Sequence, residues 1–209
     1  MTKNITGWLI GAVPGILLIF VLISAIMITG TIRFIDFSAD LNIAVLLLMF
    51  GGFIIQGAAA EFLSRGLVFC SLRNKVSLPT AVAANALAFT LPHLSTLNSP
   101  DVKYVFSGVL SLTAISCLFS FLTIRTKSIR AACGLHSMWY FCLSCVLGLN
   151  LSGSEGTSST VINMEAAGEV LLNGGKYGIE ASIITCAVIA AASAAVWHIN
   201  KNDNKERQA

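Results

Sequence analysis

Four side chains in this sequence could do acid–base chemistry in surroundings where charge is hard to tolerate: Glu61, Arg65, His93 and His136. The first two lie in GAAAEFLSRGLVF, from Gly57 to Phe69, within an otherwise apolar run. A charged side chain at the centre of a bilayer costs about 2.5–3.5 kcal/mol on insertion scales, so an acid and a base kept there point first to function. Glu61 and Arg65 are four residues apart and share one helix face. His93 and His136 fall in the apolar segments that follow. Each group also has a plainer reading. The charged pair could set helix register, and the imidazoles could be hydrogen-bonded core residues.

The elements that must position these groups are membrane helices. Of 209 residues, 56% are hydrophobic and 11% charged, and the mean hydropathy is +0.81. A soluble domain carries about 25% charged residues, so the expected fold class is all-α, a multi-pass transmembrane helix bundle. The net charge of +3 comes from short scattered clusters, with no basic stripe that would suit a nucleic acid. Cys70, Cys117, Cys133, Cys142, Cys145 and Cys186 all sit in or beside apolar runs, where free Cys acts as a small hydrophobe. The C-x-x-C of Cys142 and Cys145 lacks a thioredoxin-like context and reads as helix packing.

The spacing predicts about six membrane helices in a single domain, near 8–29, 41–69, 79–94, 104–124, 129–149 and 179–199. The first is too long for a signal-peptide core and reads as a retained anchor. Arg33, Asp36 and Asp40 mark a polar link, STLNSPD (95–101) a loop, and Asn150 to Tyr177 a non-cytoplasmic loop with a short amphipathic helix near Val161 to Leu172. A charged cytoplasmic tail, 200–209, ends the chain. Six crossings put Lys3, Arg73, Lys75, Arg125, Lys127, Arg130, Lys201, Lys205 and Arg207 on the side of the termini, against Arg33, Lys103 and Lys176 opposite. Short loops rich in Lys and Arg stay in the cytoplasm, so both termini are expected there.

Counting helix rise from the turn at 73–78 places Glu61 roughly 18 Å and His93 roughly 21 Å from it, at similar depth on antiparallel neighbours. His136 enters from the same side, about 9–11 Å beyond the basic turn, and reaches that layer if its helix tilts. His198, at the end of the last helix, is assigned no chemistry. Glu180 suits the positive end of the helix that it precedes.

Over roughly 41–190 the chain resembles the CPBP family, the CAAX-processing or bacteriocin-processing (Abi-type) intramembrane metalloproteases. AEFLSR (60–65) stands against the family's Glu-Glu-x-x-x-Arg, FTLPH (Phe89 to His93) matches Phe-x-x-x-His, and HSMWY (136–140) stands against His-x-x-x-Asn. GGKYGIEASIIT (174–185), with Glu180, resembles its last block. The resemblance implies a membrane endopeptidase that hydrolyses a peptide bond with a His/Glu-activated water. His93 would orient the water, His136 would donate to the oxyanion and Arg65 would hold the Glu helix, with Phe89 and Glu180 in support. Two imidazoles and a carboxylate could hold zinc, with His93 and His136 as ligands.

Two departures bear on activity. Ala60 stands where the family has its general-base Glu, and Tyr140 replaces the third-motif Asn. Glu61 corresponds to the second Glu, about 100° round the helix, and cannot take over the base by simple substitution. The reading is an endopeptidase acting on a peptide or membrane-protein substrate in a bacterial cell membrane. The alternative is a catalytically impaired member that serves bacteriocin immunity or binds a partner. Eukaryotic relatives cut prenylated CAAX tails, but the compact chain looks bacterial and no prenylated substrate is expected.

Overall fold

The computed structural model describes residues 2–97, 99, 101–157 and 159–206. Asn98 and Pro100 of the expected loop and the tail from 207 onward lie outside them. All six apolar runs are helical: α1 (Thr2–Ile28), α2 (Ile43–Arg73), α3 (Leu78–Thr90), α4 (Val102–Thr126), α5 (Arg130–Phe141) and α6 (Ile183–Glu206). Among the described residues three of them, at Ile5–Ile28, Ile43–Arg73 and Val102–Thr126, are long and apolar enough to cross a membrane, and Ile183–Ile199 is a shorter apolar helix.

Local chemistry sets the helix ends. The Asn42 side chain accepts from Val45 N at 3.2 Å and that of Asp101 from Lys103 N at 2.9 Å, so each satisfies an orphan donor of a first turn. Ser77 caps α3, with Pro79 in the first turn where its missing N–H costs nothing. Lys127 takes a left-handed conformation (φ 53°) that stops α4.

Helix α5 is the centre of the bundle, with every residue from Ala131 to Tyr140 buried. It packs chiefly against α1 and α2, while α4 packs against α3 and α6. Glycines permit the closest approaches. A Cβ on Gly11 would run into the Ala131 carbonyl, and one on Gly134 into the Trp8 carbonyl. On the other flank, a Cβ on Gly57 would lie 2.7 Å from Ser137 Oγ and 3.0 Å from Ser137 N, so α2 rests almost backbone to backbone on α5 one residue from His136.

Two expectations are corrected at one end of the bundle. The polar link contains a strand, β1 (Ile32–Phe37), and the expected amphipathic helix is a strand, β2 (Ile162–Ala166), followed by a single helical turn at Val170–Asn173. They pair antiparallel, Ile32 opposite Ala166 and Phe37 opposite Ile162, with an irregularity between Phe34 and Asp36. IRFIDF is β-branched and aromatic, which suits a pleated surface. Gly168 at φ +80° blocks a continuous helix from 161 to 172.

Candidate active site

Glu61 and Arg65 lie at the point where α2 changes its winding. From Phe62 to Phe69 the helix widens to π geometry, a feature that often marks functional sites. Both side chains are wholly buried. Arg65 Nη1 donates to Glu61 Oε1 at 3.1 Å, and Nη2 donates to Ser116 O at 2.9 Å and Ser116 Oγ at 2.7 Å on α4. The guanidinium carbon is 4.7 Å from the Phe89 ring centroid and 5.1 Å from that of Phe119, within cation–π range. One arginine thus ties α2 to α3 and α4.

His136 completes the cluster from α5. Its Nδ1 lies 2.8 Å from the same Glu61 Oε1; a carboxylate oxygen accepts, so Nδ1 is the donor, and in the neutral imidazole Nε2 is then the acceptor. The ring stacks on Phe119 at 5.1 Å, meets Tyr140 edge-on at 4.5 Å, and is 2% exposed. Tyr140 is buried against His136 and Phe53. Three of the four expected groups therefore meet. Glu61 Oε2 and Arg65 Nε are buried without a hydrogen-bond partner.

His93 stands apart from them. Ser64 Oγ donates to Asn85 Oδ1 at 3.2 Å, and this bond sets the register of α2 against α3. With antiparallel pairing at 64 and 85, the residue level with Glu61 is near 88, so Phe89 reaches the charged pair and His93 lies more than one turn, or about 7.5 Å, beyond that level. The chain also tightens there into a 3₁₀ turn, Leu91–Ser95. His93 Nδ1 donates to Phe89 O at 2.9 Å, and the Phe89 ring touches both imidazoles, 5.0 Å from His93 and 6.3 Å from His136. A cavity of about 450 Å³ opens past this turn, lined by Thr96, Ser99, Tyr104, Lys176 and Tyr177.

The donor set does not fit zinc. Among the described residues no three His, Cys, Asp or Glu side chains are grouped so that they could share one ion. Half-buried Ala60 offers only a methyl at the base position. The six cysteines are free, with Cys142 and Cys145 buried in a second π segment that extends α5.

Glu180 does more than face a helix dipole. It lies in a 3₁₀ turn before α6, where Oε1 accepts from Trp139 Nε1 at 3.0 Å and Oε2 accepts from Ser152 N at 2.8 Å and Ser152 Oγ at 2.7 Å. This carboxylate locks the α5 segment carrying His136 and Tyr140 to the loop between α5 and β2. Burial, with the Glu180 charge adding to it, pushes the Tyr177 phenol up, so it stays neutral. Sequence reasoning missed Ser116, Asn85 and Phe119. The signal was present in α4, whose Ser107/Ser111 and Ser116/Ser120 repeat small hydroxyls one helical turn apart in an apolar helix, the pattern of a helix–helix seam.

Comparison with known proteins agrees with this geometry. No curated protein and no solved structure matches the chain. Residues 42–142 match the family model described as type II CAAX prenyl endopeptidase Rce1-like. The matched stretch begins at the α2 cap, ends just past Tyr140, and includes AEFLSR, FTLPH and HSMWY with the helices that bring Glu61, Arg65 and His136 together. That match and that arrangement of helices support membership of the CAAX protease family of membrane endopeptidases.

Proposed function

We propose that this chain is a catalytically impaired member of its family, a membrane protein that holds a peptide or a partner membrane protein on an endopeptidase scaffold. The observation that carries this reading is the state of Glu61, the one carboxylate of the first motif. It is wholly buried, and a single oxygen accepts from both Arg65 and His136. Amide hydrolysis needs a group to take the proton of the attacking water, and the position for that group carries the Ala60 methyl. Loss of a general base lowers the rate by about 10²–10⁴.

One observation favours a second reading, an active endopeptidase. The Glu61–His136 pair has the form in which a carboxylate orients an imidazole and leaves its other nitrogen to accept a proton. His136 Nε2 would then stand in for the missing base.

Proteolysis of a peptide library in lipid, with zinc and with chelator, separates the two readings. We expect no cleavage or trace cleavage by the parent chain, with a gain of about 10²–10⁴ in Ala60→Glu and more when Tyr140→Asn is added. Efficient cleavage by the parent that His136→Gln abolishes favours the second reading. Absence of cleavage in every restored form, with or without zinc, counts against a recently lost hydrolytic site.

A further inference from the structure

We propose that β1 is a lipid-contacting ribbon, lying in the headgroup and glycerol region of the bilayer and fixing the depth of the bundle. Its residues beyond Ile32 are exposed, and the exposed set includes large apolar side chains from both faces of the strand: Phe34 (46%), Ile35 (52%) and Phe37 (71%). In water a two-sided apolar edge strand is a template for aggregation. Lipid removes that liability.

The chain's own geometry names the occupant. Three residues separate Ile28, at the end of α1, from Ile32, and five separate Phe37 from Ile43, at the start of α2. The first link reaches at most about 14 Å and the second about 21 Å when fully extended. The first is in fact folded back, since Thr29 N and Gly30 N donate to Ile26 O and Met27 O. Both flanking helices are long and apolar enough to span, so the ribbon cannot leave the membrane surface. Its apolar side chains continue the outward-facing surface of those helices through Ile28 (87%), Leu41 (45%) and Ile43 (65%).

The side chains match an interfacial layer. Phe34 and Phe37 form an edge-on pair with centroids 5.2 Å apart, and aromatic rings concentrate at headgroup level. Arg33 is exposed beside them, where a guanidinium meets lipid phosphate. Asp36 is exposed as well, and its Oδ1 accepts from Asn163 Nδ2 of β2 at 2.6 Å.

The test uses the full chain in bilayers, with Phe34→Trp and Phe37→Trp read as differences from the parent and Glu155→Trp, in the exposed loop of the cap, as the aqueous reference. Lipids brominated near the top of the acyl chain should quench the residue 34 and 37 signals, with blue-shifted emission and weak quenching by aqueous acrylamide. Glu155→Trp should show the reverse. If all three positions are quenched by acrylamide and spared by brominated lipid, the proposal is overturned. Shielding at 34 and 37 that develops only on adding an extended peptide, or only at high protein-to-lipid ratio, assigns the edge to strand addition or to a second copy and also overturns it.

Discussion

Arg65 makes contacts that no other side chain could reproduce. Its two terminal nitrogens reach Glu61 on its own helix and Ser116 on α4, while its face lies over Phe89 and Phe119. A lysine ammonium is a point donor and cannot span both directions. Arg65→Met leaves a buried carboxylate with one imidazole for company, a loss of about 3–5 kcal/mol by analogy with other broken buried pairs. Arg65→Lys should recover only part of it. Glu61→Leu combined with Arg65→Met should cost less than Arg65→Met alone, because no unpaired charge remains. Unfolding in detergent measures all three, and an Arg65→Met chain that unfolds at the parent's midpoint refutes the account. The pair was legible at i, i+4. Ser116, 51 residues away, was not, because only packing brings it near. His93 misled the count from the turn, because the hairpin arms are in register at Ser64 and Asn85 and the helix tightens at Leu91.

The helices could be read from the sequence because apolar runs and their caps are local signals. The departures from α geometry within α2 and α5 could not be read, and neither could β1 pairing with a segment some 130 residues away, because both depend on neighbours. The contact of α2 with α5 gives the sharpest test at this scale. Gly57→Ala puts a methyl 2.7 Å from Ser137 Oγ and 3.0 Å from the backbone N, and the latter cannot swing away. The two helices must separate, at a cost of about 1–3 kcal/mol. Since Glu61 lies one turn from Gly57 and His136 is next to Ser137, the 2.8 Å bond between them should lengthen as well. Adding Ser137→Gly removes the hydroxyl clash and not the backbone one, so it should restore stability only in part. Thermal unfolding in detergent reads the cost, and the His136 imidazole shifts in NMR read the bond. Full restoration by Ser137→Gly would show that the hydroxyl alone holds the helices apart.

The whole bundle has two chemically different ends. At one, a Cβ on Gly7 of α1 would lie 3.2 Å from Arg130 Cδ, close to the turns that carry Arg73, Lys75, Arg125 and Lys127. At the other, Asn173 Nδ2 donates to Thr31 O at 3.2 Å and Tyr104 Oη donates to Gly174 O at 2.7 Å, binding the ends of α1 and α4 to the cap. Basic turns favour the cytoplasm, so the β1–β2 cap is expected outside. The weak links are the short helices: α3 with its 3₁₀ turn covers 78–95, and α5 with its π segment covers 130–146. At about 1.5 Å per residue the latter is about 26 Å long, against a hydrocarbon core of about 30 Å. Such a shortfall is met by local thinning of the bilayer, at fractions of a kcal/mol per Å, and does not prevent crossing. All six segments should therefore cross. Reporter fusions at both termini should read cytoplasmic and an insertion after Glu155 should read external. If either short helix fails to cross, five crossings remain and the termini fall on opposite sides, an outcome the same fusions would show at once.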